Sequence, residues 1–329
     1  MIKIKITTSF PDWPLIRQTP GKTGKWKDFK FFINDDSIDE FDFWVVCNGL
    51  ICEEKIKCNS NNTLFITCEP SSVKLYNSSF LNQFKHIITS QRNIKHKGLF
   101  FSQQALMWMV GGKYSEGRWK DEFTKDYDEL KQTNILEKDK IISVVLSNKH
   151  LTSGHVRKND FVEKLKFHFG KRLDVFGVGH NEIEDKWDAI AKYRYHLVLE
   201  NSSVNDYWTE KLSDCYLAGS FPFYYGCKNI NSYFPAEAYI EIDINEIERT
   251  IELIEKAISD NVYEKSQKYL AQSKNLVLDK YNIFPMLSEF VENNIDSKKN
   301  NKCFSLKPEI KFQNFFSRIY NICKRKIND

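Results

Sequence analysis

The sequence predicts an α/β protein made of two doubly wound domains, residues 1–138 and 139–300, followed by a basic tail at 301–329. Three observations carry this prediction. Short apolar and β-branched runs recur through both halves, each bounded by polar or turn-forming residues, as buried parallel strands are. Helical spacing appears between these runs, most clearly in the second half. The pattern breaks over 111–134, a charged stretch opening on Gly111-Gly112, and restarts at Ile141. At 329 residues, 41% hydrophobic and 28% charged, the chain is long enough for two domains and has the composition of a globular protein.

In the first half, strands are expected at Ile2–Thr7, Phe29–Ile33, Phe43–Cys47, Thr63–Thr67, His86–Thr89 and Leu99–Phe101, with Val73–Phe84 helical or turn-like. The stretch 111–134 reads as the crossing between domains, with a helix around Asp121–Thr133. The second half opens with a strand at Ile141–Leu146. A helix at Lys158–Phe169 then sets Phe161, Leu165 and Phe169 on one face. Leu173–Phe176 is the next strand, Gly177-Val-Gly179 its turn, and Asp185–Lys192 a short helix. Tyr195–Leu199 is a strand, Glu200–Asp206 a polar loop, and Thr209–Ala218 a helix carrying Leu212, Cys215 and Tyr216 on one side. Gly219 ends that helix and Phe221–Tyr225 is the following strand. A short strand at Ile240–Ile242 precedes helices at Ile244–Ser259 and Tyr263–Tyr281. Within 307–329, Phe312, Phe315, Phe316, Ile319 and Ile322 fall near helical spacing among Lys311, Arg318 and Lys324-Arg325-Lys326. That is a basic amphipathic helix, either packed on the first domain or laid on anionic lipid.

Composition narrows the function. The net charge of +4 is mild and calls for no nucleic-acid partner, while it suits an anionic ligand or membrane surface. The alternation Met1-Ile-Lys-Ile-Lys-Ile-Thr7 reads as a strand and not as a signal peptide. No run approaches the roughly 18 apolar residues of a membrane span. Eight cysteines occur without a CxxC pair, so free thiols in a reducing cytoplasm are expected. A zinc site on Cys52 and Cys58 lacks a second ligand pair.

The loop after Tyr195–Leu199 lies at the carboxyl end of a parallel strand, where ligands of open α/β sheets bind. Glu210 and Lys211 fall in the first turn of the next helix, where free N–H groups and the dipole favour an anion. A lysine there is placed to meet a phosphate. Arg157 likewise follows a strand and opens a helix, whereas Arg172 and Arg194 sit at no comparable loop. The amide of Asn201 can both donate and accept, which suits a sugar hydroxyl. Glu200 reads either as a strand-end carboxylate fixing the loop or as an alternative sugar ligand. Asn205 and Asp206 read as a helix cap. His150 and His155 flank Arg157 with no carboxylate at metal-binding spacing, and Glu241-Ile-Asp243 reads as a strand-to-helix junction with Asp243 a cap. In the first half, Glu69 ends a strand and is stiffened by Pro70. Glu53 and Glu54 read as a solvated turn, and Asp35, Asp36 and Asp39 as a charged loop.

The blocks Leu199-Glu-Asn-Ser202, Tyr207-Trp-Thr-Glu-Lys211 and Ala218-Gly-Ser-Phe-Pro-Phe-Tyr-Tyr-Gly226 resemble the signature of family-10 glycosyltransferases, the α-1,3/1,4-fucosyltransferases. Leu199 stands where that family commonly has Phe, and Phe223-Tyr224-Tyr225 is more aromatic than its usual branched run. The resemblance implies a GT-B architecture of two Rossmann-like domains facing a cleft, the first on the acceptor side and the second binding the nucleotide-sugar donor. It implies inverting transfer of L-fucose from GDP-fucose, without a required cofactor and with a divalent cation at most stimulatory. By the same likeness Arg157 and Lys211 hold the diphosphate, and Asn201, Tyr207 and Glu210 line the donor pocket. Leu64–Ser71 is similar to the family's strand ending in Gly-Glu-Asn, with Cys68 and Pro70 replacing its neighbours, which makes Glu69 the general base. The expected acceptor is a GlcNAc-containing glycan of a surface polysaccharide, joined by an α-1,3 or α-1,4 link. The expected location is cytoplasmic, peripheral on the inner face of the membrane through 307–329. A GT-B transferase with another nucleotide-sugar donor, and a non-catalytic nucleotide- or glycan-binding protein, stay open. If Glu69 is not the base, Glu116 and Glu122 are the next carboxylates to consider.

Overall fold

The computed structural model describes residues 1–133, 137–146, 153–298 and 301–313. The chain forms two compact units. One comprises Met1–Pro11, Lys25–Ser102 and the chain from Ser288 onward; the other comprises Asp12–Gly24 and Gln103–Leu287.

The first unit contains β1 (Ile2–Thr8), β2 (Lys25–Trp26), β3 (Phe29–Ile33), β4 (Phe43–Cys47), β5 (Glu54–Cys58), β6 (Thr63–Ile66), β7 (His86–Thr89) and β8 (Leu99–Phe101). Its seven-stranded sheet runs β2-β3-β1-β4-β6-β7-β8 and is parallel except where β2 meets β3. The apolar runs form its centre because such strands are covered on both faces: all five residues of β4 and all four of β6 are buried. Helix α1 (Ser78–Leu81) is capped by the Asn77 side chain and presents Phe80 to Phe65, ring centroids 5.2 Å apart. The helical reading of Val73–Phe84 thus shrinks to this one turn.

The strand β5 corrects the reading of Glu54 as part of a solvated turn, while Glu53 just before it is exposed. This strand pairs antiparallel with the strand Lys302–Leu306. Glu54 accepts from the Thr7 hydroxyl at 2.9 Å and meets the buried Lys5 ammonium at 3.2 Å. The expected helical tail is also corrected where the structure describes it. Residues 302–306 are strand, Glu309–Phe312 form a single 3-10 turn, and Phe312 packs on Phe80 with ring centroids 6.2 Å apart. The rest of the proposed helix lies outside the described residues.

The second unit adds the hairpin β9 (Gly112–Ser115) and β10 (Arg118–Phe123), then α2 (Tyr127–Gln132), β11 (Lys140–Val145), α3 (Ser153–Phe169), β12 (Leu173–Phe176), α4 (Lys186–Ile190) and β13 (Tyr193–Leu199). These are followed by α5 (Glu210–Leu217), β14 (Phe221–Tyr225), β15 (Ile240–Glu241), α6 (Ile247–Ser259), α7 (Val262–Lys265) and α8 (Gln267–Asp279). Helix α9 (Ile283–Asn294) carries the chain back to the first unit. The five-stranded sheet runs β12-β11-β13-β14-β15 and is parallel throughout. In its own chain order this is 2-1-3-4-5, a doubly wound arrangement whose order reverses between β11 and β13. Two doubly wound α/β units are the make-up of the GT-B class predicted from the sequence.

The crossing expected at 111–134 belongs to the second unit, so the boundary at 138 is displaced. Polar burial explains why. Arg17 is fully buried, and its guanidinium donates to the carbonyls of Val110 at 3.0 Å, Lys125 at 2.8 Å, and Trp108. A buried guanidinium without acceptors would be costly, so these bonds fix the segment and draw Asp12–Gly24 into the same unit. Asp214 accepts from the amides of Met109 and Val110 at 2.9 and 3.0 Å. Glu116 and Glu122 therefore stand on the β9–β10 hairpin of the second unit, exposed and paired with Lys120 and Lys113.

Candidate donor site

The site grows from β13, the strand beside the reversal of sheet order. Every residue of Tyr195–Leu199 is buried, and the Glu200 amide continues the ladder to the Tyr225 carbonyl at 2.8 Å. The chain then leaves the sheet. Asp206 takes a left-handed conformation, φ 62°, and its carboxylate is held by Asn229 at 2.8 Å and the Tyr233 hydroxyl at 2.7 Å. That loop role replaces the helix-cap reading of Asp206. The cap is Thr209, whose hydroxyl accepts from the Lys211 amide. Trp208 anchors the return by packing on Tyr233, Phe234 and Tyr281.

Glu200 is 1% exposed and receives the Thr209 amide at 2.7 Å and the Thr209 hydroxyl at 2.8 and 2.9 Å. Of its two readings, the structure shows the one that fixes the loop. Burial raises its carboxyl pKa, with the Lys211 charge opposing. The Lys211 ammonium lies 3.4 Å from Glu200 Oε2, 3.4 Å from Glu210 Oε1 and 3.2 Å from Thr209 Oγ1. Burial works to raise the Glu210 pKa too, but Lys211 and Lys186 overcome it and bring it to about 2. Burial likewise pulls Lys211 down, yet Glu210 and Glu200 outweigh it and hold the lysine above its ordinary value. The lysine is therefore a fixed cation, 27% exposed, at the start of a helix.

Asn201 is exposed at the loop's start, and its Oδ1 accepts from the Lys158 ammonium at 2.6 Å. Arg157, the preceding residue, is exposed on α3 and acts electrostatically on the Tyr225 hydroxyl. Lys158 thus bonds Asn201 and feels the charges of Lys211, Glu200 and Glu210, and Arg157 precedes it in the chain. Tyr207 is buried, 2% exposed, and its phenol acts electrostatically on Lys211. Gly226 closes the motif for a steric reason, since a Cβ there would lie 2.5 Å from both Glu200 Cγ and the Tyr224 hydroxyl. A depression of about 360 Å³, lined by Ser203, Tyr225, Lys228, Asp243 and Arg249 among others, opens at the carboxyl ends of β14 and β15.

Lys158 is the residue that sequence reasoning missed. The available signal was its spacing. It lies three, four, seven and eleven residues before Phe161, Val162, Leu165 and Phe169, all buried, so it continues the apolar face of α3. A lysine on such a face needs a reason to be there.

In the first unit, the carboxyl ends of β4 and β6 and the start of the segment after β7 converge. Glu69 is half-buried, and its carbonyl accepts from the Gln91 side chain at 2.8 Å. Its carboxylate acts electrostatically on Lys74 and Tyr76. Both bond Asn48, Lys74 through the carbonyl at 2.8 Å and Tyr76 through Oδ1 at 3.1 Å. The strand β6 ends at Ile66, so Glu69 stands in the bend three residues beyond it rather than ending the strand.

Several further expectations have outcomes. His150 lies outside the described residues, and so does the side chain of His155. Asp243 does not cap α6; Glu246 holds that position, while Asp243 accepts from the Asn245 amide at 2.9 Å. Cys47, Cys52, Cys58, Cys68, Cys215, Cys227 and Cys303 are free thiols. Among the described residues no group of three or more His, Cys, Asp or Glu is placed to hold a metal, and no helix is long and apolar enough to cross a membrane.

Residues 135–278 match the family model described as the C-terminal domain of glycosyltransferase family 10 (fucosyltransferase). A 4-galactosyl-N-acetylglucosaminide 3-alpha-L-fucosyltransferase 9 of Bos taurus is 30% identical over 113 residues, and the hamster protein of that name, from Cricetulus griseus, is 32% identical over 113. In both, the match covers 33% of this chain and 30% of the relative, so the chain spans less than a third of these relatives' length. Among solved structures, an alpha1,3-fucosyltransferase with GDP-fucose is similar at a TM-score of 0.49 and 15% identity, over 91% of both chains. An alpha-glucosyltransferase with UDP and DNA also reaches 0.49, at 10% identity, over 88% of this chain and 99% of that one.

Proposed function

We propose, from the match of residues 135–278 to the family model of glycosyltransferase family 10, that the chain transfers L-fucose from GDP-fucose to a glycan hydroxyl with inversion at C1. The observation that carries this reading is the fixed Lys211 cation, held between Glu200 and Glu210 at the reversal of sheet order. A nucleoside diphosphate leaves with negative charge on its terminal phosphate. Cations already in place stabilise that charge without reorganising as the bond breaks. Lys211 and Arg157 take this role. Asn201 and Glu210 bind donor hydroxyls, and Tyr207 backs Lys211 from beneath.

In the proposed step the acceptor oxygen attacks C1, the C1–O(phosphate) bond breaks, and GDP leaves with the electron pair. The acceptor's proton passes to the Glu69 carboxylate. No proton donor is needed for the leaving group. A divalent cation would at most stimulate, by neutralising released GDP. The acceptor is a GlcNAc-containing glycan of a surface polysaccharide, joined through an α-1,3 or α-1,4 link. The protein works in the cytoplasm, at the inner face of the membrane. Membrane contact is proposed for 314–329 alone, because 307–313 pack on the first unit through Glu309 and Phe312.

The test is nucleotide release by the purified chain, supplied in turn with GDP-fucose, GDP-mannose and UDP-sugars beside GlcNAc-terminated acceptors. Acceptor-dependent GDP release from GDP-fucose supports the proposal. UDP release would assign another donor, and GDP binding without turnover would make the chain a binding protein.

A further inference from the structure

We infer that Lys158 belongs to the donor site as a positioning cation: its ammonium orients the Asn201 amide and joins Lys211 and Arg157 in holding the nucleotide diphosphate. The inference rests on the donor-site reading above and adds a residue and a pH response to it. The geometry is specific. Lys158 is 7% exposed on the apolar face of α3, yet its Nζ reaches the loop after β13 and donates to Asn201 Oδ1 at 2.6 Å. Acting on it are Glu200 at the end of β13 and Glu210 and Lys211 at the start of α5, while Arg157, exposed, precedes it on its own helix. A buried lysine whose hydrogen-bond partner is a neutral amide keeps a charge that this amide does not cancel. The two nearby carboxylates are already engaged by Lys211, and Glu200 also by Thr209. An arriving diphosphate supplies the missing counter-charge.

This predicts a pH response. Burial, reinforced by the Lys211 charge and opposed by Glu200 and Glu210, lowers the Lys158 pKa to about 8. A bound diphosphate favours the charged form and raises that pKa, so nucleotide binding takes up a proton near and above pH 8. The sign follows: affinity is full below about pH 8 and falls as pH rises through the free-state pKa, approaching ten-fold per pH unit. Lys211 is held protonated well above this window and Glu210 ionised well below it. Lys138 and Lys274 also titrate near 8, but Lys138 bonds the Ala191 and Ala218 carbonyls and Lys274 the Thr133 carbonyl, so a change at position 158 leaves both in place.

The experiment is calorimetric titration of GDP into the full chain between about pH 7 and 9.5, in two buffers of different ionisation enthalpy, for wild type, Lys158→Met and Lys158→Arg. Wild type should take up protons and weaken above pH 8. Lys158→Met should bind about ten-fold more weakly at pH 7, with a flat profile. Lys158→Arg stays charged, so its profile should also be flat while its pH 7 affinity stays within a few-fold of wild type. If Lys158→Met fails to fold, the arginine variant decides alone. A profile as steep as wild type in the variants overturns the inference. UDP bound in place of GDP, with the same Lys158-dependent profile, keeps the inference and overturns the GDP reading; binding of neither nucleotide by wild type overturns both.

Discussion

Replacing Lys211 with methionine separates its structural role from its role toward the donor. The side chain keeps its length and loses its charge. Glu200 and Glu210 are then left beside one another, their side chains 0% and 10% exposed, with Lys186 at 3.7 Å from Glu210 and the charge of Lys158 still acting on both. Breaking a buried ion pair costs about 3–5 kcal/mol, and Lys211 is 27% exposed, so solvent screening brings the expected destabilisation below that range, to about 2–3 kcal/mol. Adding Glu200→Gln removes one of the two stranded charges while the amide still accepts from Thr209. The double variant should recover at least half of the lost stability. GDP affinity should behave differently: it should fall at least about ten-fold in Lys211→Met and stay low in the double variant, because the phosphate cation is still missing. Denaturant unfolding and GDP calorimetry on the same preparations read the two effects apart. Recovery of GDP affinity in the double variant would refute the assignment of Lys211 to the diphosphate. Unchanged stability in the single variant would refute the described ion pairs.

Four further outcomes are expected. Glu69→Gln keeps the size of the side chain but cannot take a proton, so transfer should fall by roughly 10²–10⁴ while calorimetric GDP affinity is unchanged; a near-normal transfer rate would remove Glu69 as the base. Gly226→Ala should lower the melting temperature and cost about 1–3 kcal/mol, since its Cβ meets Glu200 Cγ and the Tyr224 hydroxyl at 2.5 Å; a melting curve matching wild type would contradict this packing. Removing 314–329 should leave thermal stability unchanged and reduce sedimentation with anionic vesicles. Removing 302–329 should destabilise by about 2–5 kcal/mol, because Leu306 is 1% exposed and its strand covers β5.

How much was legible in the sequence follows from how local each signal is. Strands such as Phe43–Cys47 and Phe221–Tyr225 were read to the residue, because a buried parallel strand is a continuous apolar run. The loop Glu200–Asp206 was legible through its polar residues and through the helix that follows, which carries Glu210 and Lys211 in its first turn. The strand Glu54–Cys58 was not, because Glu-Lys-Ile-Lys-Cys is half polar. Its identity as a strand depends on a partner some 250 residues later, which no local pattern reports. The boundary at 138 failed for a similar reason: the bonds from Arg17 and Asp214 that tie down 108–125 are long-range. Lys158 was passed over because a charge at a helix start ordinarily faces solvent. Its spacing to Phe161, Leu165 and Phe169 was the signal against that rule, and its own burial in the structure bears the signal out.

The most direct test of the central claim is transfer itself. The purified chain is incubated with GDP-L-fucose and a GlcNAc-terminated acceptor, GDP release is followed, and the configuration of the new linkage is read by NMR. The account predicts GDP released in step with fucose incorporated, an α-linked product formed with inversion at C1, and loss of both signals in Arg157→Ala and Lys211→Ala by an amount equivalent to about 2–4 kcal/mol in kcat/KM. GDP-fucose left intact beside every acceptor, or turned over equally well by both variants, would contradict it.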